Sequence, residues 1–360
     1  MAEKQRVLVF AGSYAEAESK GVYVYEFDET TGNLTLLDEA AGLKNPTFLN
    51  VDAQGRKLYA ITEGVSADGT KIGEAATFAF DPASGRLSPL GRTATVGAPT
   101  CHIQRDADSR VLIVVSYHGG MVGLLSIAED GQAGELLDVK QHEGRSVHPE
   151  RQDRPHPHSA FFTPDGRFAL VPDLGLDRVF TYAVDKENGR LELRGAAETN
   201  PGAGPRHLAF DPAGRFVYVI NEVDSTVTSY AFEADGGKLT PIATVSTLPD
   251  GYRGENITAE IAVSPDGRYV YGSNRGHDSI AVFAADAATG RLTPVGHVSA
   301  EGGHPRNFAL TPGGDYLLCA NRDTDNIAVF KVDKESGMPT YTGRGASLSK
   351  PVCVRPVYVS

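Results

Sequence analysis

The 360-residue sequence predicts an all-β chain folded as a seven-bladed β-propeller, on three observations. A turn placed before a strand recurs six times, as Ala53-Gln54-Gly55-Arg56, Ala107-Asp108-Ser109-Arg110, Pro164-Asp165-Gly166-Arg167, Pro212-Ala213-Gly214-Arg215, Pro265-Asp266-Gly267-Arg268 and Pro312-Gly313-Gly314-Asp315, in steps of 47 to 57 residues. A hairpin turn recurs around Gly32, Gly85, Gly189, Gly237, Gly290 and Gly337, with a looser copy at Asp130-Gly131, which makes seven. Helical periodicity is nearly absent. A period of about 50 residues suits a blade of four short antiparallel strands, whose two apolar faces must be covered by neighbouring blades around an axis.

The clearest copy is Pro201 to Phe232, read as strand, tight turn, strand, polar corner, strand. Leu208 and Phe210 alternate with smaller residues, Asp211-Pro212-Ala213-Gly214 carries turn chemistry, and Phe216-Val217-Tyr218-Val219-Ile220 is a β-branched and aromatic run of strand length. The first blade is expected to be split, with Arg6–Gly12 opening the chain and Lys350–Tyr358 ending it, so that joining them clasps the ring and residues 1–360 form a single domain. The long irregular stretch is Gln141 to Pro157, rich in charge and proline, and a loop of that length in a compact fold is often functional. It precedes an inner strand and is placed to cover one end of the central channel.

A formal charge of −12 argues against general affinity for nucleic acid or anionic membranes, so an anionic ligand must be drawn by a local cluster of cations. Cys101, Cys319 and Cys353 are odd in number and show no CxxC spacing, which indicates neither a disulfide framework nor a zinc ribbon. The opening MAEKQRVLVFAGSY reads as a strand and not as a leader, and no window approaches the roughly 18 apolar residues of a membrane span. A cytoplasmic monomer or weak homo-oligomer is expected, without nucleic-acid or membrane partners.

Aligning the copies on their turns puts Glu63, Tyr117, Leu174, Glu222, Arg275 and Arg322 at one position, and Thr62, Ser116, Asp173, Asn221, Asn274 and Asn321 just before it. The strand in front of the turn contributes Thr47, Thr100, His158, Arg206, Ala259, Arg306 and Val352. Both sets fall at strand ends near one rim, and innermost strands converge on the axis, so the sets should face one another across a central funnel. Asn and Asp at strand ends commonly hydrogen-bond their own turns, and the Gly-Arg turns are architectural. Asn274 and Asn321 nevertheless stand at the rim and are also candidate substrate contacts. His158, Arg206, Glu222, Arg275 and Arg306 differ in kind from most of their counterparts, which architecture alone does not require.

The segments Pro157-His158-Ser159, Gly204-Pro205-Arg206-His207, Asn221-Glu222 and Ser264-Pro265-Asp266-Gly267-Arg268, with Arg275 beyond, resemble the lactonase family of seven-bladed propellers, which includes propeller-type 6-phosphogluconolactonases and the carboxy-muconate lactonising enzyme. The resemblance covers nearly the whole chain. It implies that His158 is a functional histidine, that Arg206 and Glu222 form a functional pair and that Arg275 is a further catalytic arginine. The loop from Gln141 to Pro157, with His148 and His156, departs from the bacterial pattern.

Opening a lactone needs a water aimed at an ester carbonyl, a group to take its proton, and positive charge where the oxyanion develops. Glu222 is the preferred base, with a salt bridge to Arg206 as its other reading; His158 either serves as base, protonates the departing oxygen or polarises the carbonyl. Arg206, Arg275 and Arg306 form the expected anion clamp, because guanidinium forks match carboxylate and phosphate oxygens. His304, two before Arg306, should share its face and join the clamp, whereas His207 should point away from Arg206 and pack. His156 and His158 have a zinc-compatible spacing, but no nearby motif supplies a third ligand, so neither metal nor other cofactor is expected. The expected function is hydrolysis of an anionic sugar lactone, 6-phosphogluconolactone foremost. Cycloisomerisation of an unsaturated dicarboxylate and a non-catalytic binding propeller are the alternatives.

Overall fold

The computed structural model describes residues 6–360, so the start of the expected domain at residues 1–5 lies outside the described residues. Seven sheets, each of four antiparallel strands, stand around one axis. Six are built from consecutive strands. The seventh joins the last strand, Pro351–Val359, to Arg6–Ser13, Val22–Asp28 and Asn33–Ala40. Arg6 lies opposite Val359 and Gly12 opposite Cys353, so the C-terminal strand is the innermost strand of the first blade and the chain ends clasp the ring as the sequence predicts.

Burial falls from axis to rim. Second strands such as Phe168–Asp173, Phe216–Asn221 and Tyr316–Asn321 are buried along their whole length, because both faces meet a neighbouring blade. Outermost strands such as Arg190–Glu198 are mostly exposed. Each inter-blade core is a separate apolar layer: Phe168 and Leu170 of one blade pack with Leu208, Val217, Val219 and Tyr230 of the next.

Polar staples fix the angle between blades. Tyr59, Tyr230, Tyr271 and Tyr316 each donate a phenolic O–H to a backbone carbonyl of an adjoining blade, at 2.8–2.9 Å. The turn arginines do the same work from the surface: Arg167 reaches the Ala234 carbonyl, Arg215 that of Ala287 and Arg268 that of Lys334. Arg167 and Arg268 are steadied by the aspartate two residues before them.

Candidate active site

The innermost strands carry a repeated irregularity on the axial side. Pro205 pairs with Asn221 and His207 with Ile220, which leaves Arg206 unmatched; Pro305 pairs with Asn321 and Asn307 with Ala320, which leaves Arg306 in the same position. Val352 occupies it in the closing blade. A bulge breaks the two-residue alternation and re-aims side chains. His207 is a buried packing residue, as expected from its place beside Arg206. It lies in the channel, with ring centroids 5.4 Å from His158, 5.5 Å from His102 and 5.8 Å from Phe48, each from a different blade, and its Nδ1 is 2.9 Å from Glu260 Oε1.

Glu222, one residue beyond the second strand of its blade, is the hub of the rim. Its Oε2 accepts from Arg206 Nε at 2.9 Å and is ion-paired with Arg275 Nη2 at 2.9 Å, and its Oε1 accepts from Arg151 Nη2. Arg206 also donates to the Ala259 carbonyl at 2.8 Å, and Arg275 to that of Thr258, so one bulged inner strand holds both guanidiniums, Arg206 from the preceding blade and Arg275 from its own. Burial alone would raise the Glu222 pKa; the charges of Arg275, Arg206 and Arg151 overcome it and hold the carboxyl well below the usual carboxylate range. Both Glu222 oxygens are engaged by guanidiniums, which argues against the preference for Glu222 as base and favours its salt-bridge reading.

His158 precedes the short inner strand Phe161–Phe162, and its backbone N–H donates to the Pro172 carbonyl at 3.1 Å. Its ring stands edge-on to Tyr117, with centroids 5.5 Å apart, and its buried Nδ1 has no hydrogen-bond partner among the described residues. Burial first, then the charges of Arg206 and Arg306, push its pKa well below the ordinary histidine value, so the imidazole is neutral near pH 7. His156 stacks on the Tyr117 ring, with centroids 4.1 Å apart, and its Nδ1 is bound to the Tyr117 carbonyl at 2.8 Å. Among the described residues no cluster of three or more His, Cys, Asp or Glu side chains has the geometry of a metal site.

A cavity of about 280 Å³ opens at this rim, lined by His158, Glu222, Tyr117, Tyr14, Arg151 and Arg306 among others. Arg306 leans over the Tyr14 ring, 5.8 Å from its centroid, and has no carboxylate within ion-pair distance among the described residues. Arg206 and Arg275 lie behind Glu222 and do not line the cavity. The three arginines expected to act together are thus divided: two are committed to Glu222, and one faces the cavity unpaired.

His304 does not join Arg306. The bulge separates them, and His304 lines a shallower hollow of about 680 Å³ with Arg275. Burial and the neighbouring Arg275 and Arg322 push its pKa down to about 3, so it adds no cation to a clamp. Asn274 and Asn321 do not reach the cavity either. Asn274 accepts from Thr247 Oγ1 at 2.7 Å and donates to the Thr247 carbonyl at 2.8 Å, and Asn321 donates to the Ala300 carbonyl at 2.8 Å, so both close inter-element gaps in the interior.

Sequence reasoning flagged the 141–157 loop but missed its key side chain. Gln141 still belongs to the strand Ala133–Gln141, and the loop that follows is pinned to the blade wall. His142 Nδ1 is 2.6 Å from Asp173 Oδ2, the His156 N–H donates to Asp173 Oδ1 at 2.8 Å, and Gln152 Nε2 donates to Asp177 Oδ1 at 2.6 Å. Arg151, beside Gln152, is carried to the rim, where it lines the cavity with Tyr117. The loop's length was the available signal; its docking partners, Asp173 and Asp177, follow no motif.

The family described as "Lactonase, 7-bladed beta-propeller" matches residues 8–356. A 6-phosphogluconolactonase of Bacillus subtilis is 36% identical over 299 residues, 83% of each chain. One of Formosa agariphila is 32% identical over 308 residues, 84% of this chain and 85% of that one. The solved structure of a Pseudomonas aeruginosa periplasmic gluconolactonase superposes with a TM-score of 0.91 at 34% identity, covering 99% of this chain and all of that one.

Proposed function

The chain belongs to the seven-bladed β-propeller lactonase family, and from that premise we propose that it hydrolyses an anionic sugar lactone, 6-phosphogluconolactone foremost, in the rim cavity. The observation that carries the reading is the pairing of a neutral, buried His158 with an unpaired Arg306 at one cavity. His158 takes a proton from a water as its oxygen adds to the ester carbonyl. Arg306 stabilises the oxyanion. As the carbonyl–ring-oxygen bond breaks, the imidazolium returns the proton to the departing oxygen, and the new carboxylic acid ionises, releasing one proton to solvent.

Glu222 acts in this scheme by holding Arg206 and Arg275 in place and by setting the charge behind the cavity. The five residues His158, Arg206, Glu222, Arg275 and Arg306 then form one machine in which only His158 and Arg306 approach the reacting ester. Net charge −12 supports a small-molecule partner over nucleic acid or an anionic membrane surface, and the ring is taken to work as one domain, a monomer or weak homo-oligomer. Three free thiols support a cytoplasmic setting, and among the described residues no helix is long and apolar enough to cross a membrane.

The test follows acid release at constant pH with phosphorylated and phosphate-free sugar lactones and with an unsaturated dicarboxylate. Proton release from a lactone by the wild type, lost in His158→Gln, is the expected result. Lactone formation from the dicarboxylate, without lactone opening, would replace hydrolysis by cycloisomerisation.

A further inference from the structure

Glu222 is one carboxylate bound by three guanidiniums, and the three are not equivalent. Arg206 and Arg275 have side chains 3% and 4% exposed, each also bound to a backbone carbonyl, whereas the Arg151 side chain is 32% exposed. Two buried cations already neutralise Glu222, so Arg151 can leave it without stranding a buried charge. Arg151 also lines both hollows of the rim, the cavity with His158 and Arg306 and the shallower one with Arg275 and His304.

The backbone beneath Arg151 is fixed. The Gln152 N–H donates to the His148 carbonyl at 3.0 Å, and the Gln152 side chain holds the Leu174 carbonyl and Asp177. Gly175 lets the loop lie directly on the blade: a Cβ there would meet the Arg154 carbonyl oxygen at 1.9 Å and the His156 nitrogen at 2.8 Å. The guanidinium is thus a movable fork on a rigid base, at the boundary of two hollows, opposite the unpaired Arg306.

We propose that Arg151 is a specificity-determining residue whose guanidinium leaves Glu222 to bind the anionic substituent of the substrate, so that the enzyme distinguishes a phosphorylated sugar lactone from a neutral one. This rests on the hydrolytic reading above. The exchange gives a dianionic phosphate a two-pronged partner that a hydroxyl cannot use as well, while Arg206 and Arg275 keep Glu222 neutralised. The energetic contrast is between two anions competing for one fork, so it appears as selectivity and not as a uniform change in rate.

The experiment compares kcat/KM for 6-phosphogluconolactone and glucono-δ-lactone in the wild type, Arg151→Gln and Arg151→Lys, with urea midpoints recorded for each. The preference for the phosphorylated lactone should fall roughly 30- to 100-fold in Arg151→Gln, mainly through KM, and recover in part in Arg151→Lys. Gly175→Ala, which displaces the loop backbone but keeps the arginine, should lose the same preference. An equal loss on both lactones, as from a merely structural role, or an unchanged preference overturns the proposal alone. A wild type that opens neither lactone overturns the hydrolytic reading as well.

Discussion

Arg206 and Arg275 converge on a single oxygen of Glu222, Oε2, each at 2.9 Å, although they come from different blades. The arrangement makes Glu222 a keystone: one buried acid cancels the repulsion between two buried guanidiniums and ties adjoining blades at the rim.

Glu222→Gln should therefore destabilise the protein, by about 3 kcal/mol or more, because it leaves buried arginines without their counter-charge. The folded-state pKa of Glu222 is depressed, so its contribution is complete above the unfolded carboxyl value of about 4.3 and is lost as pH falls toward the lower folded value. Urea denaturation at pH 7 and at pH 3 to 4 checks this: the difference between wild type and variant should shrink on the acid side. A constant difference across that window would remove the ion-pair explanation.

His158→Gln should lower kcat by about 100-fold or more with the fold retained. A base whose folded pKa lies well below 6.5 is unprotonated throughout the neutral range, so wild-type kcat/KM should be flat from about pH 6.5 upward and decline only in acid. A steep acid limb centred near pH 7 would assign proton transfer to a different group.

Arg306→Ala should lower kcat for lactone opening by about 100-fold and leave the thermal midpoint nearly unchanged, since this arginine has no carboxylate partner to strand among the described residues. An unchanged kcat in the variant would assign oxyanion stabilisation to another cation of the rim.

Asn274→Ala separates architecture from binding. Its amide closes hydrogen bonds with Thr247 and Ser279 in a fully buried position, so the substitution should cost about 1–3 kcal/mol of stability without changing KM. A raised KM at normal stability would return Asn274 to the substrate contacts.

Deleting residues 351–360 removes the innermost strand of the first blade and exposes the partner edge Arg6–Ser13. Cooperative unfolding should disappear, and the truncated chain should expose apolar surface, read by dye binding and circular dichroism.

The architecture was legible because propeller signals are local. Turn residues at a steady period, apolar runs long enough for one strand, and an incomplete first copy matched by a strand at the end specify seven blades and their closure, since every apolar sheet face needs a neighbour. The same register singled out His158, Arg206, Glu222, Arg275 and Arg306 as departures from the repeat. What misled was one face assignment: strict alternation put His304 beside Arg306, and the bulge at Arg306 separates them.

The sequence by itself determined the ring, its clasp and the set of unusual side chains at its hub. Tertiary structure alone decided their partnerships: that Glu222 holds Arg206, Arg275 and Arg151, that Arg306 is left to face the cavity, and that Arg151 is delivered by a loop docked on Asp173 and Asp177. The physical reason is that electrostatic pairing depends on distances of a few ångströms between residues up to 71 positions apart, and those distances are set by bulges and blade angles that leave no periodic trace in the chain.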